Sequence, residues 1–144
     1  MTASSGSVCG NAHRFTLRVY WEDTDAAGIV YYANYLKFAE RARTEMLRRL
    51  GVEQDVLRRE TGTVFAVKRC AVDYIAPARL DDALTVETRL TALGHASLEL
   101  AQAIWRGGQK LALLELRVAC LGPALKPARL PAELRRALAP FLVH

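Results

Sequence analysis

The chain carries 144 residues, with 20 Lys and Arg against 15 Asp and Glu, for a formal net charge of +5. That length fits a single domain large enough to bury a real core. The cations are scattered, with no block of like charge, which disfavours a nucleic-acid-binding arm and suits plain solvation or an anionic ligand.

In chain order, residues 1–13 (MTASSGSVCGNAH) are rich in Ser and Gly and lack the apolar run of a secretion signal. They read as a flexible tail ahead of one domain over 14–144. The alternating, β-rich RFTLRVYW (14–21) predicts a strand. An acidic turn follows. From near Tyr32, the apolar residues Tyr35, Phe38, Ala39, Ala42, Met46, Leu47 and Leu50 recur at helical spacing, which predicts an amphipathic helix. Its polar face offers Glu45 and Arg49 as an i,i+4 pair, and Gly51 supplies a stop. A short second helix is expected over 53–60, before Gly62. β-rich runs then occupy 63–74, 84–90, 97–105 and, after the Gly107-Gly108 turn, 110–121. LPAELRRAL (130–138) closes the chain as a small helix opened by Pro131.

Strands joined by short turns pair antiparallel, and a helix with a wide apolar stripe needs a sheet to cover it. The expected fold class is α+β, a curved antiparallel sheet of about five strands wrapped around one long helix. Its open edges favour pairing with a second copy. Cys9, Cys70 and Cys120 show no CxxC spacing, and the last two lie in apolar runs where a reduced thiol packs as a small hydrophobe. With no stretch approaching the ~18 apolar residues of a membrane span, the expected location is the cytoplasm.

The chemistry concentrates in WEDTDAAGIVYYANYL (21–36). The first turn of a helix offers free N–H groups and the positive end of the helix dipole, which polarise a carbonyl held there. An upstream carboxylate such as Asp25 can attack that carbonyl or activate a water. Asp is equally a cap and turn residue, so the residues alone leave several readings open. Asp25 is catalytic or structural, Asp23 and Glu22 serve the loop, or all of them surround a hard cation. The cation reading lacks further oxygen ligands at regular spacing.

The pattern D-x-D-x2-G-x-V-x-Y-x-N-Y over 23–35 opens a long helix, and FAVKRCAVDYIAPARLDDALTVET, VACL and KPARLP follow downstream. Together they resemble the hot-dog-fold acyl-CoA thioesterases of the 4-hydroxybenzoyl-CoA thioesterase type, nearest the bacterial branch associated with the Tol–Pal system. The resemblance covers residues 15–131. It implies hydrolysis of an acyl-CoA to free acid and coenzyme A, with active sites at the interface of a homodimer or a dimer of dimers. Asp25 maps to the catalytic carboxylate, and the backbone N–H of Tyr32 to the group that polarises the thioester carbonyl. No cofactor is implied, coenzyme A being part of the substrate. One departure stands out: the Tol–Pal branch commonly has His where this chain has Tyr32, and a phenol with pKa near ~10 is a poor base at neutral pH.

Gly28, Tyr31, Asn34 and Tyr35 are the candidate substrate-binding residues around the turn, with Lys68 and Arg69 for the coenzyme A phosphates. Arg79, Lys126 and Arg129 are further available cations. Glu40 lies roughly 12 Å along the helix from Tyr32, too far for the same carbonyl, and is expected to bond Arg43 or a neighbouring strand. His13, His95 and His144 lack partners at ligand spacing and Ser97 lacks a G-x-S-x-G elbow, so neither a metal site nor a serine triad is expected. A hot-dog dehydratase would need a histidine beside the acidic turn. The alternative function is a non-catalytic protein that binds acyl groups or an acyl carrier in an envelope-associated complex.

Overall fold

The computed structural model describes residues 4–143, so the first three residues of the expected tail and His144 lie outside the described residues. The strands are β1 (Ser7–Cys9), β2 (Ala12–Arg18), β3 (Val64–Tyr74), β4 (Ala83–Leu93), β5 (Ser97–Arg106) and β6 (Gln109–Leu121). They form one antiparallel sheet in the order β1-β2-β4-β5-β6-β3. Helices α1 (Asn34–Arg49), α2 (Gln54–Thr61) and α3 (Ala132–Leu138) complete the α+β domain.

Several expectations are corrected. The sheet has six strands rather than about five. The extra one, β1, falls in the expected tail and pairs with β2 across a turn at Gly10, where φ is +61°. Its side chains are all exposed, so no apolar alternation marks it. β2 starts at Ala12 and stops at Arg18, with Ala12 and His13 fully buried, and Trp21–Asp23 form a 3₁₀ turn instead of the strand's end.

The helical part is three short helices rather than one long one: Gly51 and Gly62 close α1 and α2 at the expected stops, and α3 follows the last strand. Gly51 (φ +86°) ends α1, with the N–H of Val52 on the Leu47 carbonyl at 2.8 Å and that of Gly51 on Arg48 at 2.9 Å. Gly62 (φ +75°) ends α2 in the same left-handed conformation. On α1, Glu45 pairs with Arg48 at 2.6 Å, not with Arg49, whose Nη1 donates to the Gly6 carbonyl.

The strand order carries the larger correction. β3 and β4 follow each other in sequence but are separated in the sheet by β6 and β5. Residues 75–82 therefore cross the end of the sheet and pass beside the acidic loop. The reason lies in β6, thirteen residues long, which offers one edge to β5 and the other to β3.

α1 buries Tyr35, Phe38, Ala39, Ala42 and Met46, the stripe expected from its periodicity, while Leu47 and Leu50 are only half-buried. The first half of the stripe packs with Val19, Val30, Leu84, Val86 and Ile104. The second packs with Leu90, Leu98, Val118 and α3. Phe38 is fully buried, and its truncation to Ala would cost roughly 3–5 kcal/mol. Cys120 is buried as expected, whereas Cys70 lies exposed on the edge strand β3.

Candidate active site

Asp25, Ala26, Ala27 and Gly28 form a tight turn. The Gly28 N–H donates to the Asp25 carbonyl at 3.0 Å and the Asp25 N–H to the Ile29 carbonyl at 2.9 Å. Gly28 sits at φ +79° with open space around its α-carbon, so the turn needs glycine for its backbone conformation rather than for room. Thr24 bridges Val30 and the Tyr31 N–H donates to the Asp23 carbonyl at 3.0 Å, which zips 23–25 against 29–31.

This small ladder is anchored on three sides. The buried Asp23 carboxylate accepts the Tyr20 N–H through Oδ2 at 2.8 Å, and the buried Asn34 amide donates to the Asp23 carbonyl at 2.8 Å. The crossover supplies the third anchor. The Val30 N–H reaches the Ala78 carbonyl and the Ala78 N–H reaches the Tyr35 hydroxyl, both at 2.9 Å, while Ile29 bridges Arg79.

The result is a fixed platform on which Asp25 is the exposed acid of the 25–28 turn. Asp23 is 5% exposed with its Oδ2 committed to the Tyr20 N–H, and Glu22 lies on the surface before the turn. Asp25 is exposed, and its Oδ1 accepts the Ala27 N–H at 2.9 Å. Among the described residues its Oδ2 has no hydrogen-bond donor, nor does the Tyr32 N–H have an acceptor. α1 begins at Asn34 rather than at Tyr32, so Tyr32 lies in the turn that leads into the helix. The ladder register separates Asp25 from Tyr32 by three positions, roughly 10 Å at 3.3 Å per residue, which leaves space for a carbonyl between carboxylate and N–H.

Of the other candidates, Tyr31 and Tyr32 are 46% and 61% exposed, with ring centroids 4.8 Å apart. Tyr35 does not line an opening. It is buried, its hydroxyl committed to Ala78 and its ring 5.4 Å from Tyr74. Lys68 occupies a bulge in β3, and Arg69 lies about 16 Å along the strand from Tyr74. One protomer therefore does not bring that pair to the turn; the cation beside it is Arg79. Glu40 is exposed, and Arg43 bonds Gln102 Oε1 at 2.9 Å rather than Glu40.

Tyr74 was not singled out in the sequence. Its hydroxyl donates to the Tyr32 carbonyl at 3.0 Å, and burial, followed by nearby Cys70 and the tyrosines, pushes its phenol above the ordinary value. A hydrogen bond with Tyr32 raises the Tyr31 phenol likewise. Tyr74 closes the run TVFAVKRCAVDY, and only the crossover geometry brings that strand end to the turn. No group of three or more His, Cys, Asp or Glu among the described residues is arranged to hold a metal ion, and none of their helices is long and apolar enough to cross a membrane.

An antiparallel sheet of this order packed on α1, with an acid-bearing turn at the helix entrance, defines a hot-dog domain of the thioesterase kind. Residues 19–138 match the family model of the thioesterase-like superfamily; the chain belongs to that superfamily and is a hydrolase. It is 43% identical over 128 residues to the acyl-CoA thioesterase YbgC of Haemophilus influenzae, covering 88% of this chain and 94% of that protein. It is 45% identical over 120 residues to the acyl-CoA thioester hydrolase YbgC of Escherichia coli O6:H1, covering 82% and 89%. Among solved structures, a probable thioesterase from Bartonella henselae superposes with a TM-score of 0.81 at 36% identity, covering 83% of this chain and 99% of that one.

Proposed function

We propose that this protein hydrolyses acyl-CoA thioesters, with Asp25 as the carboxylate and the Tyr32 backbone N–H as the group that polarises the carbonyl. The observation that carries this reading is the turn itself: Asp25 is its exposed acid, held on a rigid ladder that leads straight into the free Tyr32 N–H. The acyl-CoA activity in the names of the YbgC relatives supports the substrate class.

In the reaction the carbonyl oxygen accepts the Tyr32 N–H, which stabilises the charge that develops on it. Asp25 either takes a proton from the attacking water or attacks the carbonyl carbon and forms an anhydride that water then opens. In both routes the carbon–sulfur bond breaks, the thiolate of coenzyme A gains a proton, and the acyl group leaves as the free acid. Tyr31 and Tyr32 flank the acyl group, and Arg79 is the cation placed for an anionic group at the rim. β3 is a sheet edge eleven residues long, and a second copy paired along it would cover the exposed Tyr74 and Val67 and bring in its own Lys68 and Arg69. Such a homodimer, or a dimer of dimers, is part of the proposal. So is a place nearest the Tol–Pal-associated branch of the 4-hydroxybenzoyl-CoA thioesterase type, which rests on the motif resemblance.

Replacing Asp25 by Asn tests the assignment. An amide oxygen still accepts the Ala27 N–H, so the fold is kept, while thiol release from acyl-CoA should fall roughly 10²–10⁴-fold. Unchanged turnover would exclude Asp25 as the catalytic group. Acyl-CoA binding without turnover in the unaltered protein would favour the non-catalytic alternative.

A further inference from the structure

A cavity of about 190 Å³ opens between α1, α2 and the β3 side of the sheet. Its floor is apolar and buried, made by Met46, Leu98, Leu100, Val118 and Leu138. The exposed Glu40 stands at its mouth with the half-buried Thr44 and Gln54, whose side-chain amide donates to the Thr44 hydroxyl at 3.3 Å. Arg43 forms part of the wall, its guanidinium engaged by Gln102. An apolar cavity of about 150 Å³ takes a benzene-sized guest, so this one holds a slightly longer hydrocarbon segment. The chemistry outlined above does not use it.

The cavity shares a flank of α1 with the turn. Leu36, Glu40, Arg43 and Leu47 recur at three- and four-residue spacing, which places them on one side of the helix. Glu40, Arg43 and Leu47 line the cavity opposite Phe65 and Val67 of β3. At the other end of that flank, Tyr74 of β3 meets Tyr32 through its hydroxyl at 3.0 Å. α1 and β3 thus border one path, with the Tyr32 N–H at its start and the cavity at its end. Leu36, 41% exposed, lies between them.

We propose that this cavity receives the distal end of a linear, long-chain aliphatic acyl group whose thioester carbonyl sits at Tyr32, an inference that rests on the hydrolase function proposed above. The lip at Glu40 is roughly 12 Å from Tyr32 along the helix. An extended chain advances roughly 1.2 Å per bond, as an extended peptide does over its three backbone bonds. About ten carbons therefore span the path, and chains of about 12 to 16 carbons place their ends on the buried floor. Each methylene buried there strengthens binding about fourfold, whereas chains of eight carbons or fewer stop short of the lip.

Two variants outside the turn test this. Thr44→Phe narrows the mouth from a half-buried position that tolerates bulk, and Val118→Phe fills the floor. Thiol release is followed with butanoyl-, octanoyl-, dodecanoyl- and hexadecanoyl-CoA, and hexadecanoate binding by calorimetry, with thermal melts to verify folding. The unaltered protein should favour the two long chains by at least about tenfold over octanoyl-CoA. Both variants should lose that advantage, keep butanoyl-CoA turnover, and no longer bind hexadecanoate. If Val118→Phe fails to fold, Thr44→Phe alone decides. A flat chain-length profile, or long-chain turnover and hexadecanoate binding unchanged in a folded variant, would overturn the assignment. If no acyl-CoA is turned over but hexadecanoate binds the unaltered protein and not the variants, the hydrolase function fails and the cavity assignment stands.

Discussion

The Asn34 side-chain amide donates to the Asp23 carbonyl at 2.8 Å across eleven residues of chain, and both residues are buried. This bond ties the first turn of α1 to the far side of the acidic ladder. It fixes the distance between the free Tyr32 N–H and the Asp25 carboxylate from below.

Removing it should affect activity more than folding. Asn34→Ala leaves the Asp23 carbonyl with the Tyr31 N–H alone, a loss of about 1–2 kcal/mol. Asn34→Asp keeps the shape but sets a carboxylate against a carbonyl, so it should cost more. Both variants should lower kcat by more than their melting temperatures imply, as read by thermal melts beside thiol-release assays. Full turnover in Asn34→Ala would mean that the loop keeps its geometry without this tie.

The three acids of the turn should separate in the same assays. Glu22→Ala changes an exposed side chain and should stay within about 0.5 kcal/mol of the unaltered stability. Asp23→Ala removes the acceptor for the Tyr20 N–H and should cost about 1–2 kcal/mol. Equal melting temperatures for the two variants would contradict the buried role of Asp23.

Much of this arrangement is written locally in the chain. The α1 stripe, the β5–β6 hairpin at Gly107 and the motif from Asp23 to Tyr35 depend on local spacing, so periodicity and turn chemistry expose them. What stayed hidden depends on contacts distant in sequence. Ala78 anchors both Val30 and Tyr35, and Tyr74 reaches Tyr32, only because β3 lies at the sheet edge and the chain crosses back to β4. Tyr35 looked like a pocket aromatic because helical spacing does not distinguish a ring facing a ligand from one facing the sheet. β1 escaped notice because its pairing is held by backbone alone.

Gly28→Ala should destabilise the protein by about 1–2 kcal/mol, since an L side chain at φ +79° is strained even with open space around it. Gly28→Asn should cost less, because Asn tolerates the left-handed region. Chemical denaturation of the two variants gives the comparison, and a Gly28→Ala variant as stable as the parent would mean that the turn adopts another conformation.

Tyr32→Phe should leave kcat within about threefold, because the proposed contribution of this residue is its backbone N–H, which the substitution preserves. Its carbonyl bond from Tyr74 is likewise kept. A loss of 10²-fold or more would move the phenol itself into the chemistry.

Acid should weaken the fold through His13. The ring is fully buried, Nε2 donates to the Ser5 carbonyl at 2.7 Å, and Nδ1 has no partner. Burial lowers its pKa below the ordinary 6.5, assisted by Arg49 on α1, while the Ser5 carbonyl and Glu45 act in the opposite direction. The folded state thus keeps the ring neutral where the unfolded chain already binds a proton. Stability is then fully present above pH 6.5 and declines as the pH falls from there toward the lowered folded value. His13→Gln can still donate to Ser5 but does not titrate, so its stability should change less over the same interval. Thermal melts of both proteins from pH 8 to pH 5 provide the measurement, and parallel curves would remove His13 as the source of the acid sensitivity.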